Sequence, residues 1–416
     1  MTHSYIANLF AQIFGRGSSI VAQMIIFVVL ARRAGPELLG QYAYFLTFVN
    51  VCATFADFGT TVTLAKDLPR FEGRERELYW GNVLLIRLML ALFVMIFASI
   101  TLPFLPSTMT VALIIGIATI PFAASRIFDP VFQVCGKPWY TSLSTGIYGV
   151  SLVALSSPLI FFGKHPIWTL CLAYLAAQIT YLVVAWKLSL KLLKPRFTID
   201  KQLWRTHLKI AVPIGVSFVF TAINSRADTF LLAWMKGDRD VGLYNAIYKF
   251  VDMAALGAVL LTNPLIPILS GKKEEGFSKF RKTLLLFVLS FILVLAPVAL
   301  LTPLFSESIV TLLYGEEFRE TAKVLNIFAW VCVLIFLGLL SSTGCLVMDT
   351  VHFEWWNAAI AAALNITLNL YLIPSYGYLG SAWATLASEV WIVGVTAFFM
   401  FRGIIKSEAY SKPYIK

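Results

Sequence analysis

The chain has 416 residues, of which 59% are hydrophobic and 13% charged, and it carries a formal charge of +11. A soluble protein of this length needs far more polar cover, so the composition excludes a globular cytosolic enzyme and makes the lipid bilayer the solvent. Topology and attraction to anionic headgroups account for the positive charge, so no nucleic-acid partner is expected.

A crossing helix takes roughly 20 mostly apolar residues. In chain order the apolar runs predict spans at 9–30, 42–64, 82–103, 110–132, 142–162 and 168–188. Six more are predicted at 208–235, 243–269, 283–303, 321–347, 355–373 and 379–401. The expected fold class is therefore an all-α polytopic membrane protein with about twelve transmembrane helices. The longest polar stretch, 187–209, reads as a loop. The division expected is an N-terminal six-helix lobe (1–190), a cytoplasmic linker (191–207), a C-terminal six-helix lobe (208–401) and a cytoplasmic tail (402–416).

No basic run precedes the first apolar stretch and Arg16 interrupts it, so it is expected to be kept as a helix rather than removed as a signal peptide. Lys and Arg beside short loops stay cytoplasmic. With both termini inside, the inner segments collect twenty-two Lys and Arg, among them Lys66, Arg76, Lys194 and Lys279. The outer segments hold seven, including Arg32, Lys164, Lys236 and Arg319. The expectation is a multi-pass protein of the cytoplasmic (inner) membrane with both termini cytoplasmic.

The five cysteines are scattered without paired spacing and read as small packing residues. His3, His165, His207 and His352 form no metal-ligand pattern, and no phosphate loop, nucleophile elbow or carboxylate pair lies on a soluble loop. Neither a metal, an organic cofactor nor a catalytic role is expected.

A shift of 202 residues superposes Leu30-Ala31, Gly35, Gly40, Tyr42, Phe48-Val49 and Ala53 on Leu232-Ala233, Gly237, Gly242, Tyr244, Phe250-Val251 and Ala255. Glycine and tyrosine among the matches mark a duplication rather than shared hydrophobicity. Each half would carry six spans and insert the same way up, giving parallel repeats of the kind that build alternating-access carriers.

Polar residues recur on single helical faces. The first span carries Asn8, Gln12, Arg16, Ser19 and Gln23 at helical spacing, and the second carries Thr47, Asn50, Thr54, Asp57 and Thr61. Later spans carry Asn224 and Asp228; Asn245, Lys249 and Asp252; Asn365 and Asn369; and Ser381, Thr385, Ser388 and Glu389. Such faces are costly against lipid and must meet other helices or a watery cavity. Counting outward from the hairpin turns places Arg16 level with Asp57, Asp228 with Lys249, and Arg226 with Asp252, so these are expected to pair across the hairpins. Glu389 is left without a basic partner and is the coupling candidate, for a proton or Na+. Arg87 and Arg126 fall near the cytoplasmic boundary and are expected to act as snorkelling anchors.

The stretch from Ala31 to Tyr42 followed by Asp57-Phe58-Gly59 resembles the first hairpin of polysaccharide transporters of the MOP superfamily, which includes the Wzx-type O-antigen flippases. Arg226-Ala227-Asp228 with Gly242-Leu243-Tyr244, the run from Leu313 to Phe318, and the run from Gly377 to Thr385 extend the resemblance over most of the chain. The resemblance implies a V-shaped pair of six-helix lobes around a central cavity, exporting an undecaprenyl-diphosphate-linked oligosaccharide. The residues expected to line that cavity are Gln12, Arg16, Gln23, Asn50, Asp57, Asn224, Arg226, Asp228, Lys249, Asp252 and Asn365. Expected partners are the lipid-linked oligosaccharide, membrane lipids, and a polysaccharide polymerase with its chain-length regulator. The rivals are a small-molecule exporter of the same superfamily, a major-facilitator carrier, and a membrane glycan polymerase or ligase. The 66–80 loop lacks the usual major-facilitator loop pattern, and a polymerase would need a large outer loop, whereas the longest outer segment expected is about 305–320.

Overall fold

The computed structural model describes the backbone of residues 2–104, 109–162 and 167–411, and the side chains of residues 17, 19–103, 109–161 and 167–405. Among the described residues the chain is helical and contains no strand. The helices are α1 (Thr2–Asp57), α2 (Thr60–Asp67), α3 (Gly73–Thr101), α4 (Thr110–Ala123), α5 (Phe128–Val134), α6 (Trp139–Phe162) and α7 (Ile167–Leu190). They continue as α8 (Lys201–Met235), α9 (Asp238–Thr262), α10 (Leu265–Glu274), α11 (Phe277–Tyr314), α12 (Ala322–Val347) and α13 (Glu354–Ser411).

Among the described residues, ten helical segments are long and apolar enough to cross a membrane. Two of them, Ser19–Asp57 and Val351–Ile405, each contain a residue outside helical geometry, Gly35 and Gly377. Gly35 has φ 76° and ψ −177°, backbone that only glycine adopts without strain, and Pro36 begins the next arm with its φ already helical. Its counterpart 202 residues on, Gly237, has φ 88° and ψ −175° and separates α8 from α9. The duplication seen in the letters is thus present in the backbone of the two turns.

The chain forms two compact units, Met1–Arg226 and Ala227–Lys416. In the first, α1 packs along α6 and α4, and its buried face presents Phe27, Leu30, Tyr42, Phe45 and Val49. Trp80, Phe128 and Trp186 join α3, α5 and α7 edge to face, with ring centroids 5.5 and 6.0 Å apart. In the second, α12 packs against α13, α11 and α9. One of its buried clusters contains Leu269, Phe280, Leu284, Leu340, Cys345 and Met400, with Phe353 stacked on Phe399 at 4.2 Å.

The structure corrects the expected loops. Helix α8 already begins at Lys201, because Asp200 caps it: its Oδ1 accepts from the amides of Gln202 at 2.9 Å and Leu203 at 3.0 Å. The non-helical connection is correspondingly short. The segment 305–320, expected on the outer side, is likewise mostly helical: α11 runs on to Tyr314, and a 3-10 turn, Glu316–Thr321, leads into α12. Arg319 is clipped to Glu307 at 3.0 Å, so little of the segment is loop.

Candidate functional site

In the first unit the polar face of α1 does not continue as one stripe through Thr61. Helix α1 ends at Asp57, Phe58 has φ 41°, and α2 starts at Thr60. Asp57 holds this break together. Its Oδ1 accepts from the Thr61 amide at 3.2 Å and the Thr61 hydroxyl at 2.6 Å, and its carbonyl accepts from the Thr60 hydroxyl at 2.7 Å. A carboxylate there favours the α2 amides, which lack partners within their own helix. On its other side Asp57 forms an ion pair and hydrogen bond with Arg87.

Arg87 is therefore no snorkelling anchor. It is 6% exposed, and its guanidinium also donates to Thr60 Oγ1 at 2.8 Å and twice to the Ala124 carbonyl, at 3.0 and 2.7 Å. Its position near the boundary suggested solvent access, whereas a break in the neighbouring helix at the 3-10 turn Ala124–Ile127 gives it a carbonyl to bind inside the protein. Arg126, in that same turn, is exposed. The side chains of Gln12 and Arg16 lie outside the described residues, and with them the expected pairing of Arg16 with Asp57.

Gln23 and Thr54 are half-buried and Asn50 is exposed, so this side of α1 keeps polar groups accessible on a largely apolar helix. On α8, Ser217 is half-buried, Thr221 is exposed and Asn224 is buried. Asn224 Oδ1 has no hydrogen-bond partner among the described residues.

In the second unit the polar positions form a connected chain. Asp228, fully buried, accepts from the Tyr244 hydroxyl and from the Thr229 amide at 2.6 Å. Tyr244 lies 3.1 Å from Thr385 Oγ1, and the Ser388 hydroxyl donates to the Thr385 carbonyl at 2.9 Å. Asn365 donates to Ser388 Oγ at 3.3 Å and accepts from Asn369 at 3.0 Å. Asn369 Oδ1 and Ser381 Oγ are buried without a partner among the described residues.

Lys249 finds Asp252 on its own helix at 3.1 Å, a partner that the cross-hairpin count did not anticipate. Arg226 is half-buried and engaged in further contacts. Glu389 is half-buried and has no hydrogen bond or ion pair among the described residues.

Sequence reading missed a third cluster, around Asn82. This fully buried side chain donates to the carbonyls of Leu78 and Thr198, both at 2.8 Å, and its Oδ1 accepts from the Asp200 amide at 2.9 Å and Trp204 Nε1 at 2.8 Å. It ties the connection between the halves to α3. Tyr79 and His207 add a buried hydrogen bond of 2.8 Å between α3 and α8. A lone Asn at the start of an apolar run carries no periodic signal, so only its partners reveal it.

The polysaccharide biosynthesis protein family matches residues 5–273. The chain belongs to that family. The chain is similar to the capsular polysaccharide biosynthesis protein CapF of Staphylococcus aureus, 19% identical over 93% of this chain and 96% of the length of CapF. The probable low-salt glycan biosynthesis flippase Agl15 of Haloferax volcanii is 23% identical over 93% of this chain and 81% of its own length.

Among solved structures, the lipid II flippase MurJ in an inward closed conformation superposes with a TM-score of 0.76 at 14% identity, covering 98% of this chain and 91% of MurJ. An inward-facing multidrug resistance MATE transporter of the MOP superfamily superposes with a TM-score of 0.78 at 13% identity, covering 95% and 96%. At these identities the likeness concerns the fold alone, which is shared with MurJ and the MATE transporter.

Proposed function

We propose that this family member is a flippase that moves an undecaprenyl-diphosphate-linked oligosaccharide across the cytoplasmic membrane by alternating access between two six-helix lobes, without covalent chemistry. The observation that carries the reading is the set of polar side chains kept accessible on otherwise apolar crossing helices: Gln23, Asn50, Thr54, Asp57, Ser217 and Thr221. A sugar's hydroxyls and diphosphate cannot be desolvated in lipid, while the polyprenyl tail belongs there, so the carrier must offer polar groups at membrane depth. The names of CapF and Agl15 support a glycan substrate, and the fold shared with MurJ supports a lipid-linked one.

In this reading Gln12, Arg16, Asn224, Arg226, Lys249, Asp252 and Asn365 contribute to the same polar path, and both termini are cytoplasmic. A polymerase and a chain-length regulator receive the product. Coupling to H+ or Na+ falls to Glu389 or to the buried Asp228–Tyr244–Thr385 chain, whose uncharged neighbours Asn369 and Ser381 offer oxygens to a hard cation. The second reading, a small-molecule exporter, draws on the MATE likeness.

Reconstitution in proteoliposomes separates the two readings. A labelled undecaprenyl-diphosphate oligosaccharide should become accessible to an impermeant reagent on the far side, and cationic dyes should not move; dye export without glycan movement overturns the proposal. In the same assay Glu389→Gln should remove the dependence on an imposed ion gradient. Unchanged dependence shifts coupling to the Asp228 chain.

A further inference from the structure

The first unit contains a crevice of about 440 Å3, within the roughly 300–1,000 Å3 of ordinary ligand sites. Its walls are apolar: Leu84 and Leu88 of α3, Pro121 of α4, Ile127 of the 3-10 turn, Val183 of α7, and Phe197 of the segment joining the halves. Leu88, Val183 and Phe197 are 52%, 43% and 57% exposed, so the crevice opens to the surroundings of the helices. Arg87 forms part of the floor, but its guanidinium is already bound to Asp57, Thr60 and Ala124 and offers no charge to an occupant.

The charge is at the rim. Lys187 lines the crevice, and Lys191 and Lys194 follow directly; all three are exposed, and none has a hydrogen-bond or ion-pair partner among the described residues. The nearby Arg196 is different, being paired with Glu77 at 2.6 Å. An uncompensated cation on the wall of an apolar slot, with two more exposed lysines four and seven residues further along the chain, matches a lipid with a negative headgroup, whose chain lies along the slot and whose phosphate meets the lysines.

Phe197 stands in the wall only because the strap of residues 196–200 is clipped to α3. Arg196 donates its amide to the Glu77 carbonyl at 3.0 Å, and Asn82 binds Thr198 and Asp200. A Cβ on Gly81 would lie 2.0 Å from the Arg196 carbonyl oxygen, so the strap fits only against glycine.

We propose that this crevice is a specific site for an anionic diacyl phospholipid of the cytoplasmic leaflet, with one acyl chain between α3, α7 and Phe197 and the phosphate on Lys187, Lys191 and Lys194. The leaflet rests on the orientation proposed above, whereas the site itself does not depend on transport.

Native mass spectrometry of the full-length protein released from mixed bilayers tests it, with phosphatidylglycerol, phosphatidylcholine and undecaprenyl phosphate as probes. The wild type should retain phosphatidylglycerol over phosphatidylcholine, and each lysine replaced by Gln should weaken retention about fivefold. Leu88→Trp, which fills the slot, should abolish it. If Leu88→Trp fails to fold, the surface triple K187Q/K191Q/K194Q carries the test. Equal retention of the two phospholipids by the wild type, or undiminished retention by the triple variant, overturns the proposal. Preferential retention of undecaprenyl phosphate also overturns it, because the occupant is then the isoprenoid carrier. Because binding is read without any translocation assay, a failed glycan assay leaves this result intact.

Discussion

Tyr42 and Tyr244 occupy equivalent positions in the two halves and are both fully buried, at 1% and 0% exposure, yet they have opposite surroundings. Tyr42 lies among rings, 6.0 Å from Phe27 and 6.2 Å from Phe45. Tyr244 donates to Asp228 and meets Thr385. The position equivalent to Asp228 in the first half is Ile26, and the position equivalent to Asp57 in the second is Val259. The halves share the turn and its aromatic anchor but not the charges: the first half concentrates its ion pair at the end of α1, and the second spreads hydrogen bonds through α8, α9 and α13. A shared backbone therefore does not imply shared polar chemistry, and the two halves need not do the same work.

The largest effect expected is from Arg87→Ala, which strands Asp57 beside α2 in the first half. A loss of about 3–5 kcal/mol is expected, visible as a large fall in the thermal unfolding midpoint of the detergent-solubilised protein. A near-wild-type midpoint would mean that the pair does not hold that half together.

Gly81→Ala strikes the strap, a clip described only in the first unit. Overpacking of this kind costs roughly 1–3 kcal/mol, and hydrogen exchange at 196–204 should rise while exchange in α12 stays unchanged. Equal protection in the variant would show that the strap tolerates a side chain.

Tyr244→Phe and Tyr42→Phe test the comparison directly. Removing the Tyr244 hydroxyl leaves buried Asp228 short of a donor, at about 1–3 kcal/mol; removing the Tyr42 hydroxyl from its ring cluster should cost under about 0.5 kcal/mol. Equal costs would erase the distinction between the halves.

The smallest perturbation is a thiol at Lys194, Lys279 or Lys236, each on the surface. In intact cells an impermeant reagent should label the Lys236→Cys variant and spare the other two. The reverse pattern inverts the proposed orientation.

The repeat, the apolar helical class and the breaks at Gly35, Gly237 and Gly377 were legible in the letters, because each depends on residues close in sequence: an apolar run, a glycine able to take positive φ, a proline opening the next arm. Partnerships were not legible. Arg87 looked peripheral by depth, and counting from a hairpin turn cannot see that the Ala124 carbonyl is freed at the end of the neighbouring helix. Counting by height across a turn did not anticipate that Lys249 also meets Asp252 one turn along its own helix.

The sequence by itself determined the solvent of this protein, its helical class, its duplication and its family. The first three follow from composition, periodicity and internal repetition, which act locally and add up along the chain, and the family follows from the match of residues 5–273 to its pattern. Only the tertiary structure decided which buried charge meets which, that Asn82 fastens the two halves' connection to α3, and where an apolar slot opens beside Lys187. Such pairings depend on helices distant in sequence converging to within hydrogen-bond range, about 3 Å, and no local pattern encodes that.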